Sequence, residues 1–145
     1  MPSTLTSAHD AAASLLAIVT SANGHIDARE VAALDALHAY RRLGIPRAAF
    51  LRRADAALEE IGLALSGSGW LRLSDRSRLL ALQQAVDDPE LRLLVCRLAA
   101  AVITADGRVT ADERLVYASL LGHWDVTDAM VARAILRERG PRWPS

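Results

Sequence analysis

The residues of this chain that could do chemistry stand in two segments of one pattern. Ala22-Asn23-Gly24-His25-Ile26-Asp27-Ala28-Arg29-Glu30 and Ala105-Asp106-Gly107-Arg108-Val109-Thr110-Ala111-Asp112-Glu113 align without a gap, Asn23 against Asp106 and Glu30 against Glu113. Each has an Asx-Gly turn, an aliphatic residue two positions on, and a glutamate after five intervening residues. That is the second half of an EF-hand calcium loop. Calcium also needs oxygen ligands in the first half. There Val19 and Val102 fall on the first ligand position and cannot coordinate a hard cation, while Ser21 and Thr104 on the next are weak substitutes for carboxylates. The ligand demand of an EF-hand is not met. Two readings remain. In the first the segments are structural: Asn23-Gly24 and Gly107 turn the chain, Ile26 or Val109 fills the corner, and Asp27 with Glu30, or Thr110 with Glu113, closes a helix-capping box. In the second, Asp106, Asp112, Glu113, Asp27 and Glu30 gather at one end of the molecule and hold a divalent cation.

Other reactive side chains form no constellation. His9, His25, His38 and His123 are scattered, and none makes the i, i+4 pair with a glutamate that a helical zinc site needs. Cys96 is the single cysteine, which excludes an internal disulfide framework and a cysteine-rich zinc site. Inside a helix it reads as a small buried apolar residue. A catalytic thiol would need a neighbouring base, and none is evident. Gly67-Ser68-Gly69 lacks the lysine and the preceding strand of a phosphate loop. Arg41, Arg42, Arg47, Arg52 and Arg53 cluster around one turn, but Asp55, Glu59 and Glu60 follow closely, so the run reads as a solvated mixed face. Catalytic activity is not expected, and no cofactor is required.

The elements that must position these residues read as seven helices. The first starts near Ser7 or His9, repeats Leu15, Ile18, Val19 and Ala22 at helical spacing, and stops at Asn23-Gly24. Asp27 caps a second that turns Val31, Leu34, Leu37 and His38 inward and ends at Leu43-Gly44-Ile45-Pro46. A third runs from about Pro46 to Leu65 through Phe50, Leu51, Leu58 and Ile61. Ser66 to Gly69 is a loop. Ser74 caps a fourth through Leu79, Leu82 and Val86. Asp88-Pro89-Glu90 opens a fifth with a cap, a proline in the first turn and an acid facing the helix dipole. That helix is apolar nearly all round, through Leu91, Leu94, Val95, Leu98, Ala101 and Val102, and reads as central. Thr110 caps a sixth, stopped by Gly122. A seventh runs from about Thr127 with Met130, Val131, Ile135 and Leu136 inward, and Trp124 anchors it. Gly140-Pro141 ends it, leaving a frayed tail at about 140–145.

Composition agrees. The 145 residues are 52% apolar, and 17 basic residues balance 17 acidic ones. That length fits one domain, 1–145, and that balance excludes a disordered chain. Alanine, about one residue in five, favours helix over strand. Every basic residue is arginine, a bias that a genome rich in G and C produces without any function. Zero net charge supplies no field for nucleic acid. The most apolar window, 93–103, is short and holds Arg97, whereas a membrane span needs about 20 apolar residues. With no secretory signal visible, a cytoplasmic protein without direct membrane insertion is expected.

The doubled helix–Ala-Asx-Gly-x-aliphatic-x-x-x-Glu–helix element resembles the TerB-like family, named for the bacterial tellurite-resistance protein TerB. The resemblance covers most of the chain, in length, helix count and the separation of the two copies, about 8–45 and 91–128. It implies an all-α bundle of about seven helices with an internal pseudo-twofold duplication, the first and fifth helices forming the shared centre. It further implies a role in tellurite or metal resistance or stress, through a protein partner and a membrane-associated resistance complex. The family's acidic positions fall on Asp106, Glu113 and Glu30, with Asn23 in place of the usual aspartate.

Overall fold

Apolar side chains recurring every three or four residues need a helix to share one face. The computed structural model of the protein describes residues 7–21, 28–65, 73–105, 107 and 111–139, and these form helices and short connections with no strand. Eight helices follow in order: α1 (Ser7–Ser21), α2 (Ala28–Ala36), α3 (Ala39–Leu43), α4 (Arg47–Leu65), α5 (Leu73–Ala85), α6 (Pro89–Thr104), α7 (Ala111–Trp124) and α8 (Asp128–Arg139). None is long and apolar enough to cross a membrane.

The start of α6 follows its local signal. Asp88 is extended and accepts a hydrogen bond from the Glu90 amide, with Pro89 in the first turn. Elsewhere the chain departs from its pattern. The expected second helix is two, because Leu37 and His38 interrupt it and His38 adopts a left-handed backbone at φ 56°. His38 is consequently exposed rather than inward. Gly122 does not stop α7 but lies exposed within it. The stop is Asp125 at φ 57°, a residue whose short polar side chain tolerates that region. Ser74 sits in the first turn of α5, which begins at Leu73, and its side chain lies outside the described residues. On α8 only Val131 is buried, and Ile135 is half-buried. Met130 and Leu136 are 38% and 64% exposed, because α8 lies at the rim and only one of its faces meets the bundle.

Burial repeats along the chain. Ala12, Ala13, Leu15, Leu16, Val19 and Thr20 of α1 are buried. So are Val95, Cys96, Leu98, Ala99, Val102 and Ile103 of α6, which match them one for one at the offset that sets Asn23 against Asp106. Fully burying a leucine or valine contributes about 1.5–3 kcal/mol, so these two helices anchor the core. The helix ends that flank the corners repeat at the same offset: Ser21 and Thr104, then Ala28 and Ala111.

The repeat runs further than the two corners. Past them the left-handed residues Gly44 and Asp125 correspond. Each is followed by the same amide bond, Ile45 N to Tyr40 O and Val126 N to Leu121 O, both 3.0 Å. Then the next helix opens alike, with Phe50 N donating to Pro46 O and Val131 N to Thr127 O. The repeating unit is therefore three helices, α6 to α8 matching α1, the broken pair α2 and α3, and α4. The offset between copies shortens by two here, because the first copy carries two extra residues between its corner and this exit. Two extra residues would rotate a continuous helix by more than half a turn. The break at Leu37–His38 absorbs them, and α7, lacking them, is unbroken.

The packing also repeats. α1 packs on α6; α4 lies on α1 as α8 lies on α6; and α2 lies on α6 as α7 lies on α1. α2 thus sits on the other copy's first helix, whereas α7 packs on its own copy's first helix, α6, as well as on α1. Among the described residues α5 has no counterpart. It packs on α1 and α7, and Trp124 secures it by donating its indole N–H to the Gln83 carbonyl at 2.9 Å. Trp124 therefore fastens α5 as well as lying in the core that α8 meets.

Candidate functional site

Of the acidic residues in the two corners, the structure places Glu30. It lies in the first turn of α2, where the helix dipole favours a negative charge, and it is fully buried. Asn23, Gly24, Asp27, Asp106 and Thr110 lie outside the described residues, as do the side chains of Asp112 and Glu113, whose backbone belongs to α7. Gly107 is exposed at φ +78°, as a tight helix exit requires. Among the described residues no group of three or more His, Cys, Asp or Glu side chains could hold a metal.

The described residues converge instead around arginines. Arg97 is the one basic residue of α6 that its apolar surroundings bury, with a side chain 11% exposed. Its Nε lies 2.9 and 3.0 Å from Glu138 Oε1 and Oε2, and its Nη2 lies 2.9 Å from Oε1. Arg42 of α3 donates from Nη2 to the same carboxylate at 3.0 Å, and from Nη1 to the Leu37 carbonyl at 3.3 Å. One carboxylate from the second copy thus bridges an arginine of each copy. Glu138 stands in the last turn of α8, where the dipole disfavours a negative charge, so its place depends on these partners. Burial pushes its carboxyl upward, but hydrogen bonds from Arg97 and Arg42 outweigh burial and hold it below the ordinary glutamate range.

This centre lies at one end of a groove of about 260 Å³ lined by α3, α6 and α8. Leu93, Leu94 and Ala134 are half-buried in it, and Glu90 and Arg137 stand exposed at its edge. Sequence reading missed the centre. Its signal was an arginine inside an otherwise apolar helix, which registered only as an obstacle to a membrane span.

Two other arginines of the cluster, Arg47 and Arg53, are tied to acids from other helices and not to Asp55 or Glu59. Arg47 donates to both carboxylate oxygens of Asp35, at 3.0 and 3.3 Å, and lies 6.0 Å from the Tyr40 ring centre. The hydrogen bond from Arg47 holds the Asp35 carboxyl below its usual range. Arg53 pairs with Asp10 and donates to Ser14 Oγ at 3.0 Å. Cys96 is buried, and burial pushes its thiol up to about 12, which disfavours the thiolate. His9, His38 and His123 are exposed, and His25 lies outside the described residues. Set against protein-family models, curated proteins and solved structures, the chain matches none of them.

Proposed function

We propose that this chain is a TerB-like helical module of a bacterial stress or tellurite/metal-resistance pathway. It acts in the cytoplasm without catalysis, through contacts with a protein partner that belongs to a membrane-associated resistance complex. The observation that carries this reading is the duplicated three-helix unit, whose two corners are flanked by helix ends at matching positions. Deleting the gene should sensitise cells to tellurite, and the tagged chain should retain a specific partner from stressed cells. Turnover of a small substrate, with no partner retained, contradicts the reading.

A second reading, a divalent cation at the acidic corners, is favoured by one observation. Glu30 carries a carboxylate fully inside the fold beside its corner. Calorimetry with calcium, magnesium, manganese and zinc tests it. Heat of binding that disappears in an Asp106→Asn/Glu113→Gln double variant supports these ligands, and heat that persists removes them.

A further inference from the structure

We propose that the groove between α6 and α8 is a docking site for an acidic amphipathic helix of a partner protein. This deepens the interaction-module reading and rests on it.

The two copies close the same seam differently. In the first, Arg53 of α4 crosses to Asp10 and Ser14 of α1. In the second copy Ala134 stands in the place of Arg53, Leu93 in that of Asp10 and Arg97 in that of Ser14. The bridge is absent at that level, since alanine cannot cross and leucine offers no charge. Arg97 reaches one turn further along α8, to Glu138. Each copy keeps an open groove beside this seam, and where Asp10 and Arg53 pair in the first copy's, the second copy's has Leu93, Leu94 and Ala134. Met130, one turn before Ala134, extends this apolar strip at 38% exposure.

The charge left around the groove is positive. Glu138 is already shared between Arg42 and Arg97. Arg133 and Arg137 are exposed one turn apart on α8, and Arg41 is exposed beside Arg42. None of these three makes an ion pair among the described residues. Like charges four apart on a helix repel, so carboxylates arriving beside Arg133 and Arg137 relieve a repulsion as well as gain an attraction. Glu90 is the single acid on the opposite wall. An apolar strip between two helices with guanidinium groups along its edge complements a helix that carries leucines at i, i+3 and i+4 and acids on its flanks. A nucleic acid would use the arginines but leave the leucines uncovered.

The test uses the full chain and a fluorescein-labelled helical peptide of about 16 residues, a length at which a helix is marginal alone and ordered by docking. One peptide carries leucines on one face and glutamates beside them, and its twin has lysines for the glutamates. Anisotropy should rise with the glutamate peptide only. Its affinity should fall roughly tenfold or more in an Arg133→Glu/Arg137→Glu double variant and weaken as salt is raised. Both substituted residues are exposed, and an unchanged circular dichroism spectrum confirms the variant's fold. No binding of the glutamate peptide, equal binding of both peptides, unchanged binding by the variant, or displacement of the peptide by a short single-stranded DNA would overturn the proposal. A cellular partner retained equally by chain and variant overturns the groove while leaving the interaction-module reading in place.

Discussion

At Gly107 backbone strain can be separated from packing. Its φ is +78°, and a Cβ built there meets nothing within 4 Å. Any cost of substitution is therefore conformational. Gly107→Ala should cost about 1 kcal/mol and Gly107→Val about 2 kcal/mol, read as a lowered melting temperature; an unchanged one contradicts the turn. Glu138→Ala should cost more, roughly 2–4 kcal/mol, because it strands the nearly buried Arg97 without a counter-charge. The same carboxylate gives a pH dependence. Its folded-state pKa lies below the ordinary value, as does that of Asp35, so their contribution is present at neutral pH. It is lost as the pH falls below about 4.5 for Glu138 and 3.8 for Asp35. Denaturant melts from pH 7 to 3 should show this loss and show it reduced in Glu138→Gln. Gly107 was legible in the sequence because a tight helix exit demands glycine locally. The Arg97–Glu138 pair was not, since its members stand far apart in the chain and the arginine within an apolar helix does not by itself name its partner.

Helix boundaries were legible where the signal was chemical and local, as at Asp88-Pro89-Glu90. They were misread where helix tolerance decided the outcome. Gly122 lies on an exposed face of α7, where a glycine costs about 1 kcal/mol and need not end a helix. Asp125, three residues on, takes the left-handed turn. The break at Leu37–His38 has no glycine or proline to announce it and becomes intelligible only beside the unbroken α7. His38 therefore bears a strain its side chain does nothing to offset, since it makes no cap. His38→Gly should stabilise the protein by up to about 1 kcal/mol, measured by chemical denaturation, and a destabilisation would contradict the left-handed assignment. Trp124→Phe should remove the indole bond to Gln83 at a cost of about 1 kcal/mol. The Gln83 side chain, bonded to Ser119 Oγ at 2.9 Å, remains. Amide exchange should accelerate in α5 first, and uniform acceleration through all helices would contradict the view that Trp124 fastens that element.

The all-helical class and the doubled corner were written plainly in composition and spacing. The extent of the doubling was not. The third helix of each unit aligns only after the shift of two is recognised, and that shift is visible in backbone hydrogen bonds and not in residue identities. Once aligned, the copies differ in what joins their first and third helices, Arg53 to Asp10 in one and Arg97 to Glu138, one turn further along, in the other. The first helices of the two copies, α1 and α6, pack on each other and α2 crosses to α6, so the two copies share one core. Cutting the chain after Gly67 and producing the halves 1–67 and 68–145 separately tests this most directly. Far-ultraviolet circular dichroism should show each half alone poorly helical and without a cooperative melt, and an equimolar mixture should regain both. A half that melts cooperatively by itself, or a mixture that equals the sum of its parts, would contradict a core shared between the two copies.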